Sequence, residues 1–203
     1  KTFIEKLNLM INKKKFTERI FDPNQLSGLD EDHYIQLPVD FIHDLSKAAS
    51  LQDLLDKIAF WISHVFDADR VSITLQENEE YLKLYSISGN QAIPIDFKIP
   101  IKQTFVGRTF ATAKLIICDD LSQSDELDCQ MLTQHGMGTC MDAPMIHNDI
   151  CIGTLNVADE RKHYYSEQQA ILLQCLANWL AMNIKLHLQF QEMEVLASTD
   201  ELT

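Results

Sequence analysis

Residues 139–157 read TCMDAPMIHNDICIGTLNV, and this stretch decides the fold class. Two apolar runs, at 139–146 and 150–157, flank the polar triplet at 147–149. The Asn-Asp pair of the triplet suits the positive φ angles of a tight hairpin turn. The stretch therefore predicts two antiparallel strands that are joined by a short connection.

Earlier segments predict more strands. Residues 69–76 (DRVSITLQ) and 81–88 (YLKLYSIS) alternate between apolar and polar side chains, as strands with one buried face do. A short strand is expected at 115–118. The segment 93–101 (IPIDFKIPI) is extended but broken by two prolines, which is typical of an edge strand or a lid.

Helices are predicted on both sides of these strands from apolar periodicity and end signals. Ser166 and Gln169 have capping-box spacing ahead of a run that no Gly or Pro interrupts toward Ala197. A looser helical pattern covers 1–20, and 22–37 is interpreted as a linker. The remaining helices are expected to begin at or just after Pro38, Ser50, Phe105 and Ser124.

The order of these elements predicts an α+β fold. Strand pairs that are adjacent in sequence imply an antiparallel sheet, and helices from both ends of the chain can cover one of its faces. The central segment is then free to cover the other face. In the helix after Pro38, we expect Val39, Ile42 and Leu45 to face the core.

The composition fits one compact domain with flanking segments. The chain has 203 residues, of which 46% are hydrophobic and 23% charged. A core of this size requires no metal ion or disulfide to stabilise it. The net charge of −13 would repel a nucleic-acid backbone, so DNA or RNA binding is not expected.

The sequence also bears on location. No apolar run approaches the ~18 residues that a membrane span needs, and no signal peptide is visible. Five cysteines without a CxxC pair indicate free thiols in a reducing compartment, so we expect a cytoplasmic protein. Because the first residue is Lys rather than Met, we expect the chain to be a piece of a larger protein.

Two patterns could suggest a metal site. Four of the cysteines recur at intervals of eleven residues: Cys118, Cys129, Cys140 and Cys151. They fall in different predicted elements, so we interpret them as structural thiols. The Asp119-Asp120 pair has no third ligand nearby and is interpreted as a solvated turn. No metal site is therefore expected.

The order and spacing of four segments resemble a GAF domain over residues 38–185. These segments are ADRVSITL, FVGRTFATAKLIICDD, TQHGMGTCMDAPM and ICIGTLNVADERKHYYSEQQAILLQCLANWLAMNI. The resemblance implies an antiparallel sheet with the N- and C-terminal helices on one face. It also implies a central segment that closes a small-molecule pocket over the other face, and a dimer interface made by the terminal helices.

The resemblance further implies which residues line the pocket for a small-molecule ligand, which remains unnamed. We expect no catalytic residues in the chain. The implied pocket residues are Phe97, Ile99, Phe105, Val106, Arg108, Ile117, Asp119, Met131, Cys140 and Asp142.

The last residues, ASTDELT, resemble the start of a GGDEF diguanylate cyclase domain through Asp200, Leu202 and Thr203. We accordingly divide the chain into an N-terminal helix and linker (1–37), the GAF sensor domain, a signalling coiled-coil helix (186–197) and the start of a truncated cyclase domain. Such a cyclase would make cyclic di-GMP from GTP with Mg²⁺. No cofactor is expected in the present chain itself.

The final helix carries a heptad pattern that predicts a parallel homodimer. Asn183 falls at an a position, where a polar pair fixes the register of two strands. Beyond about Lys185 little of the domain remains for the helix to pack on. The seam contains Leu172, Leu176, Trp179, Asn183, Leu186, Phe190 and Met193.

Two other functions remain open from the sequence. The domain could bind no ligand and serve as a dimerisation and coupling module. Alternatively it could be a thiol-dependent redox enzyme, since some GAF-fold relatives reduce free methionine sulfoxide. Those relatives place a reactive cysteine near the position of Gly107-Arg108, where this chain has none.

Overall fold

A computed structural model describes residues 17–25, 37–95 and 97–200. The described residues form seven strands, five α-helices and a short 3₁₀ helix at Leu121–Gln123. The strands are β1 (Glu18–Phe21), β2 (Arg70–Gln76), β3 (Tyr81–Gly89), β4 (Lys98–Pro100), β5 (Leu115–Cys118), β6 (Thr139–His147) and β7 (Ile150–Asp159). The helices are α1 (Val39–Leu45), α2 (Leu51–Phe66), α3 (Phe105–Thr112), α4 (Leu127–Gln134) and α5 (Glu167–Asp200).

The strands form one sheet in the order β1-β5-β6-β7-β2-β3-β4, and every neighbouring pair is antiparallel. At its centre, β6 and β7 form the predicted hairpin. Its turn residues Asn148 and Asp149 have φ angles of 50° and 61°. The turn chemistry read from the sequence is therefore confirmed.

The two faces of the sheet are covered by different elements. Helices α1, α2 and α5 pack on one face, where they share the main hydrophobic core with side chains such as Ile73, Met141 and Leu155. Helices α3 and α4, with the segment between β3 and β4, cover the other face. This arrangement confirms the predicted α+β fold.

Capping side chains fix the start of two helices on the core side. Ser50 Oγ accepts a hydrogen bond from the backbone N–H of Asp53 at 3.1 Å, at the start of α2. At the start of α5, Ser166 Oγ accepts from Gln169 N at 3.2 Å, and Gln169 Oε1 accepts from Ser166 N at 2.9 Å. The predicted capping box is thus present.

The N-terminal segment differs from its prediction. Residues 18–20, expected to be helical, belong to β1, which pairs with β5 from Glu18↔Cys118 to Phe21↔Leu115. The open edge of β5 offers backbone hydrogen bonds to an extended segment, and this tertiary pairing overrides a weak local helical pattern. The rest of the predicted N-terminal helix lies outside the described residues.

Two helix predictions also need correction. In α1, Val39 is 84% exposed and Ile42 is 56% exposed, whereas Phe41 and Leu45 are buried. The helix is too short for its periodicity to decide which face packs. Helix α4 begins at Leu127, after the predicted cap at Ser124, whose hydroxyl instead accepts a bond from Glu126 N at 3.3 Å.

Among the described residues, no helix has the length and apolar character that crossing a bilayer requires.

Candidate functional site

Buried polar side chains occupy the sheet face that turns away from α1, α2 and α5. Asp142, Asn156 and Ser72 are cross-strand neighbours on β6, β7 and β2. Arg70 lies on the same face of β2, because strand side chains alternate between the two faces. All four are buried. Burying such a row of polar groups between sheet and helices costs folding free energy unless the groups form hydrogen bonds or ion pairs.

A cavity of about 20 Å³ lies between this polar row and the covering elements. Phe105 and Val106 of α3 and Leu132 of α4 line its upper side, together with Ile93 from the segment between β3 and β4. The space is just large enough for a water molecule or one small head group. A larger molecule requires the covering elements to move.

Asp142 is the most unusual group in the cavity. It is 2% exposed, and its Oδ2 atom has no hydrogen-bond partner among the described residues. Burial, together with the negative charges of Asp128 and Glu126, raises the pKa of Asp142 well above its ordinary value. The carboxyl group is therefore held in a setting that disfavours its charge.

Asn156 presents a second unmet acceptor beside Asp142. Its Nδ2 donates to Ser72 Oγ at 3.3 Å, which leaves the Oδ1 atom without a partner in the described part of the chain. Because Asn156 and Asp142 are directly paired across the β6–β7 ladder, their side chains are neighbours on the cavity face of the sheet.

Arg70 connects the floor of the cavity to its cover. Its Nη2 donates to the carbonyl oxygen of Ile93 at 3.1 Å, and its Nη1 donates to that of Asn90. Burial lowers the pKa of Arg70 to about 10, and the nearby charge of Asp142 opposes that change. The guanidinium thus remains charged at neutral pH and holds the covering segment by two backbone groups.

Asp128 is committed to a structural role at the start of α4. Its two oxygens accept from the backbone N–H groups of Phe105 and Val106 at 2.8 and 2.9 Å, and Oδ1 also accepts from Cys129 N at 3.0 Å. These bonds satisfy the free N–H groups of the first turn of α3. Burial nevertheless raises the pKa of Asp128.

Three of the evenly spaced cysteines meet beside the cavity. Cys118 and Cys140 are cross-strand neighbours on β5 and β6, and Cys129 of α4 is buried in the same cluster. The neighbouring Cys129 thiol, followed by burial, raises the pKa of Cys118, and burial raises the pKa of Cys140. The spacing does not predict this cluster, because the sheet register brings Cys118 and Cys140 together and the packing of α4 adds Cys129.

All five cysteines are free in the structure, and Cys151 and Cys175 lie apart from this thiol cluster. Within residues 17–25, 37–95 and 97–200, no group of three His, Cys, Asp or Glu side chains is arranged to hold a metal ion.

Four of the ten predicted pocket residues line the cavity: Phe105, Val106, Cys140 and Asp142. Phe97, Ile99 and Met131 pack in the apolar clusters around it. The prediction for Ile117 is wrong, because this side chain lies in the main core on the opposite face. On a strand buried on both sides, apolar character does not reveal which face a residue occupies.

Of the three charged residues among the ten, Asp119 and Arg108 form ion pairs outside the cavity. Asp119 accepts from Arg19 Nε at 2.9 Å and from Arg19 Nη2 at 2.6 Å. Arg108 forms ion pairs with Glu18 and Glu126. Both residues therefore anchor neighbouring segments and do not line the cavity.

The prediction missed nine of the thirteen lining residues. Five of these are Ile93, Cys129, Leu132, Val157 and Ala158, and the other four are polar: Arg70, Ser72, Asp128 and Asn156. A signal existed for three of them. Arg70 and Ser72 alternate with Val71 and Ile73, and Asn156 sits between Leu155 and Val157. Polar residues at alternate positions of otherwise apolar central strands mark one polar face. For Asp128, the sequence offers no comparable signal.

The burial of the predicted dimer-seam residues decreases along α5. Leu176 is buried against the protein's own core, and Leu172 and Trp179 pack against it in part. Asn183 donates from Nδ2 to the carbonyl oxygen of Trp179 at 2.8 Å, within its own helix. The three later seam residues are exposed, with Phe190 at 62%. These are Leu186, Phe190 and Met193.

Comparisons with known proteins agree on the family. The GAF domain family model matches residues 50–184. A search of curated protein sequences finds no match. Among solved structures, the GAF domain of an Acinetobacter phosphoenolpyruvate-protein phosphotransferase is similar, with a TM-score of 0.64, 16% identity and coverage of 75% of this chain and 93% of that one.

Two other solved structures show the range of proteins with this fold. The GAF domain region of a putative membrane protein from Geobacter sulfurreducens PCA is 22% identical, with a TM-score of 0.59 and coverage of 72% and 99%. The free methionine-R-sulfoxide reductase from Neisseria meningitidis, solved with its substrate, is 16% identical, with a TM-score of 0.64 and coverage of 77% and 98%. The present chain belongs to the GAF domain family.

Proposed function

We propose that the chain is a sensory regulatory domain that binds a small molecule in the cavity and relays its occupancy through α5. The observation that carries this proposal is the pair of buried acceptors, Asp142 Oδ2 and Asn156 Oδ1, that lack hydrogen-bond partners among the described residues. An unmet buried acceptor costs about 1–3 kcal/mol. Groups strained in this way, set in an enclosed cavity, are candidates for a binding site.

Strand β6 supplies a route from the cavity to α5. Asp142 lies on its cavity side, and two residues later the carbonyl oxygen of Pro144 accepts a hydrogen bond from Gln174 Nε2 of α5 at 2.9 Å. On the opposite face, Met141 and Ala143 share the main core with α5. A displacement of β6 by a ligand at Asp142 therefore acts on α5 through direct contacts.

The output is proposed to be a C-terminal diguanylate cyclase, which would make cyclic di-GMP from GTP with Mg²⁺ in the cytoplasm. The support is the resemblance of Asp200, Leu202 and Thr203 to the start of that domain. Helix α5 continues through Asp200, so it leads directly into these residues. A parallel homodimer along α5 would bury Phe190 and its exposed neighbours and bring two cyclase domains together.

The full-length protein that contains this chain tests the proposal. With GTP and Mg²⁺ it should form cyclic di-GMP at a rate that changes with an extract of its own cells, whereas the chain alone should form none. Native mass spectrometry of protein isolated from such an extract should show a bound small molecule. If the full-length protein forms no cyclic di-GMP, the cyclase part of the proposal is wrong.

A ligand-free coupling module is the competing function. The variant Asp142→Leu separates the two, because leucine removes the carboxylate and fills the space. A sensor loses its response to the extract in this variant, whereas a pure coupling module keeps the same cyclase rate. Far-UV and near-UV circular dichroism confirm that the variant is folded.

The thiol cluster supports a second candidate function, a thiol-dependent reductase. In its favour, Cys118, Cys129 and Cys140 meet at the cavity, and one similar solved structure is a methionine sulfoxide reductase. Against it, all three thiols are buried and their pKa values are raised, so little reactive thiolate is present. We therefore propose that the chain is not an enzyme. Reduction of free methionine sulfoxide by the chain with dithiothreitol would reverse this choice.

A further inference from the structure

The hydrogen-bonding groups of the cavity are unequally satisfied. Two of the lining side chains use their donors: Arg70 donates to two backbone carbonyl groups, and Asn156 Nδ2 donates to Ser72 Oγ. Asp128 accepts from three backbone N–H groups. Of the five buried side-chain atoms without a partner among the described residues, the two that belong to the cavity lining are Asp142 Oδ2 and Asn156 Oδ1. With Asp142 ionised, a molecule that completes the site must therefore donate at least two hydrogen bonds.

The charges around the cavity favour a positive occupant. Glu18 and Glu126 share the guanidinium of Arg108. Within the cavity lining this leaves two carboxyl groups, those of Asp128 and Asp142, and one guanidinium, that of Arg70, whose Nη atoms donate to the covering segment. Carboxyl groups outnumber guanidinium groups in this set, and Asp142 is 2% exposed. Its raised pKa shows that the free site disfavours its negative charge, so a cation that binds there must take the place of the proton. A buried carboxylate is stabilised by a cation within contact distance.

We propose that the cavity binds a small organic cation that carries at least two N–H donors, such as a primary ammonium or an amidinium group. One donor reaches Asp142 Oδ2, and another reaches Asn156 Oδ1 across the β6–β7 ladder. This inference rests on the proposed sensory function and names the chemical class of its ligand.

The shape of the cavity is consistent with such a head group. Its volume of about 20 Å³ accepts one ammonium group, and an amidinium group fits once the covering elements move. The upper side of the cavity is apolar at Phe105, Val106 and Leu132. An aliphatic substituent on the cation would lie against these side chains. A longer ligand must displace Ile93, whose carbonyl group is held by Arg70. A ligand bound by its head group therefore lies beside the hydrogen bond between Arg70 and the Ile93 carbonyl group, which holds the covering segment.

The test uses acetamidinium chloride and its neutral isostere acetamide, titrated into the ¹⁵N-labelled chain at constant ionic strength. Acetamidinium should shift the amide signals of Asp142 and Asn156 saturably, and acetamide should bind about tenfold or more weakly. Tetramethylammonium, a cation without N–H donors, should fail to shift them.

Two variants and a control assign the binding to the site. Asp142→Asn keeps the side-chain shape and should weaken acetamidinium binding about tenfold or more, and Asn156→Ala should weaken it severalfold. Asp149→Asn removes one negative charge from an exposed turn residue and should leave binding unchanged. Dispersion of the amide spectrum shows that each variant is folded.

Equal binding of acetamidinium and acetamide, or equal binding by wild type and Asp142→Asn, would overturn the inference. The inference would also be overturned if acetamidinium shifted only amide signals of exposed acidic residues and left those of Asp142 and Asn156 unchanged. If a neutral small molecule from the cell extract shifts Asp142 and Asn156, the sensory function stands and only the cationic ligand is wrong. If neither the extract nor acetamidinium shifts them, both proposals fail.

Discussion

Arg108 holds Glu18 in a two-point ion pair, with Nη1 at 3.1 Å from Oε2 and Nη2 at 3.0 Å from Oε1. The same guanidinium binds Glu126 through Nε at 2.8 Å and Nη2 at 2.9 Å. One side chain of α3 thereby joins strand β1 to the residue that precedes α4. The N-terminal strand is thus fastened to the elements that cover the cavity.

The first prediction concerns this ion pair. Replacing Arg108 with Gln should lower the free energy of unfolding by about 1–3 kcal/mol, because Glu18 and Glu126 lose their charged partner in a partly buried place. Urea unfolding measures the change. Hydrogen exchange should also become faster at the amides of β1. Glu18→Gln is the milder comparison, since it leaves the pair with Glu126 intact, and unchanged β1 exchange in Arg108→Gln would show that the strand is held by other contacts.

The second prediction concerns pH. The folded protein raises the pKa of Asp142 above the ordinary value of 3.8, through burial and the charges of Asp128 and Glu126, with Arg108 and Arg70 opposing. The folded state therefore binds more protons than the unfolded state above pH 3.8, and the stability that this carboxyl contributes at low pH is lost as the pH rises. Asp142→Asn removes that loss.

Thermal unfolding between about pH 5 and about pH 8 tests this sign. The melting temperature of Asp142→Asn relative to wild type should increase steadily with pH. Asp149→Asn, in the exposed turn, provides the matched control and should run parallel to wild type. A gap that closes as the pH rises would mean that Asp142 is charged and stabilised in the folded protein.

The third prediction concerns the exposed end of α5. The wild-type chain should be a dimer at tens of micromolar in analytical ultracentrifugation, and Phe190→Glu should shift it toward monomer by placing a charge in the seam. Leu188→Glu is the control, because Leu188 is also exposed but lies outside the predicted seam. A monomeric wild type, or equal effects of the two variants, would contradict the predicted interface.

The fourth prediction concerns the thiols. With a disulfide reagent at neutral pH, Cys175 should react first because it is exposed, followed by the half-buried Cys151, whose pKa is raised by burial to about 11. The thiol cluster should react only on unfolding, since its members are buried and their pKa values are raised. Mass spectrometry after timed quenching identifies each modified cysteine. Early modification of the cluster would favour the reductase.

The sequence was most informative where a local rule determines structure. The turn at Asn148 and Asp149, the cap at Ser50 and the capping box at Ser166 all follow from side-chain chemistry within four residues, and all are present. The overall fold could be predicted because these local signals define the hairpin and the helix starts around which the sheet and its layers are arranged.

The site was harder to predict because long-range contacts create it. Asp142 and Asn156 become neighbours only through the β6–β7 register, and Asp128 enters the cavity only because α4 packs against the first turn of α3. The local pattern of residues 18–20 predicts a helix, since it carries no trace of their pairing partner β5, which lies about a hundred residues further along the chain. The prediction that Ile117 lines the cavity is wrong for a related reason. Every residue of β5 is buried, so the sequence does not show which face of the sheet a given side chain occupies.

The unmet acceptor at Asp142 also has an evolutionary consequence. A leucine at this position would remove the buried carboxyl group, fill the cavity and raise the stability of the fold. Where no ligand is bound, such a substitution would therefore accumulate in the course of evolution. Persistence of an acidic residue at position 142 then becomes a mark of continued selection for a ligand. Among descendants of this domain, the residue at that position would separate those that still sense from those that only connect.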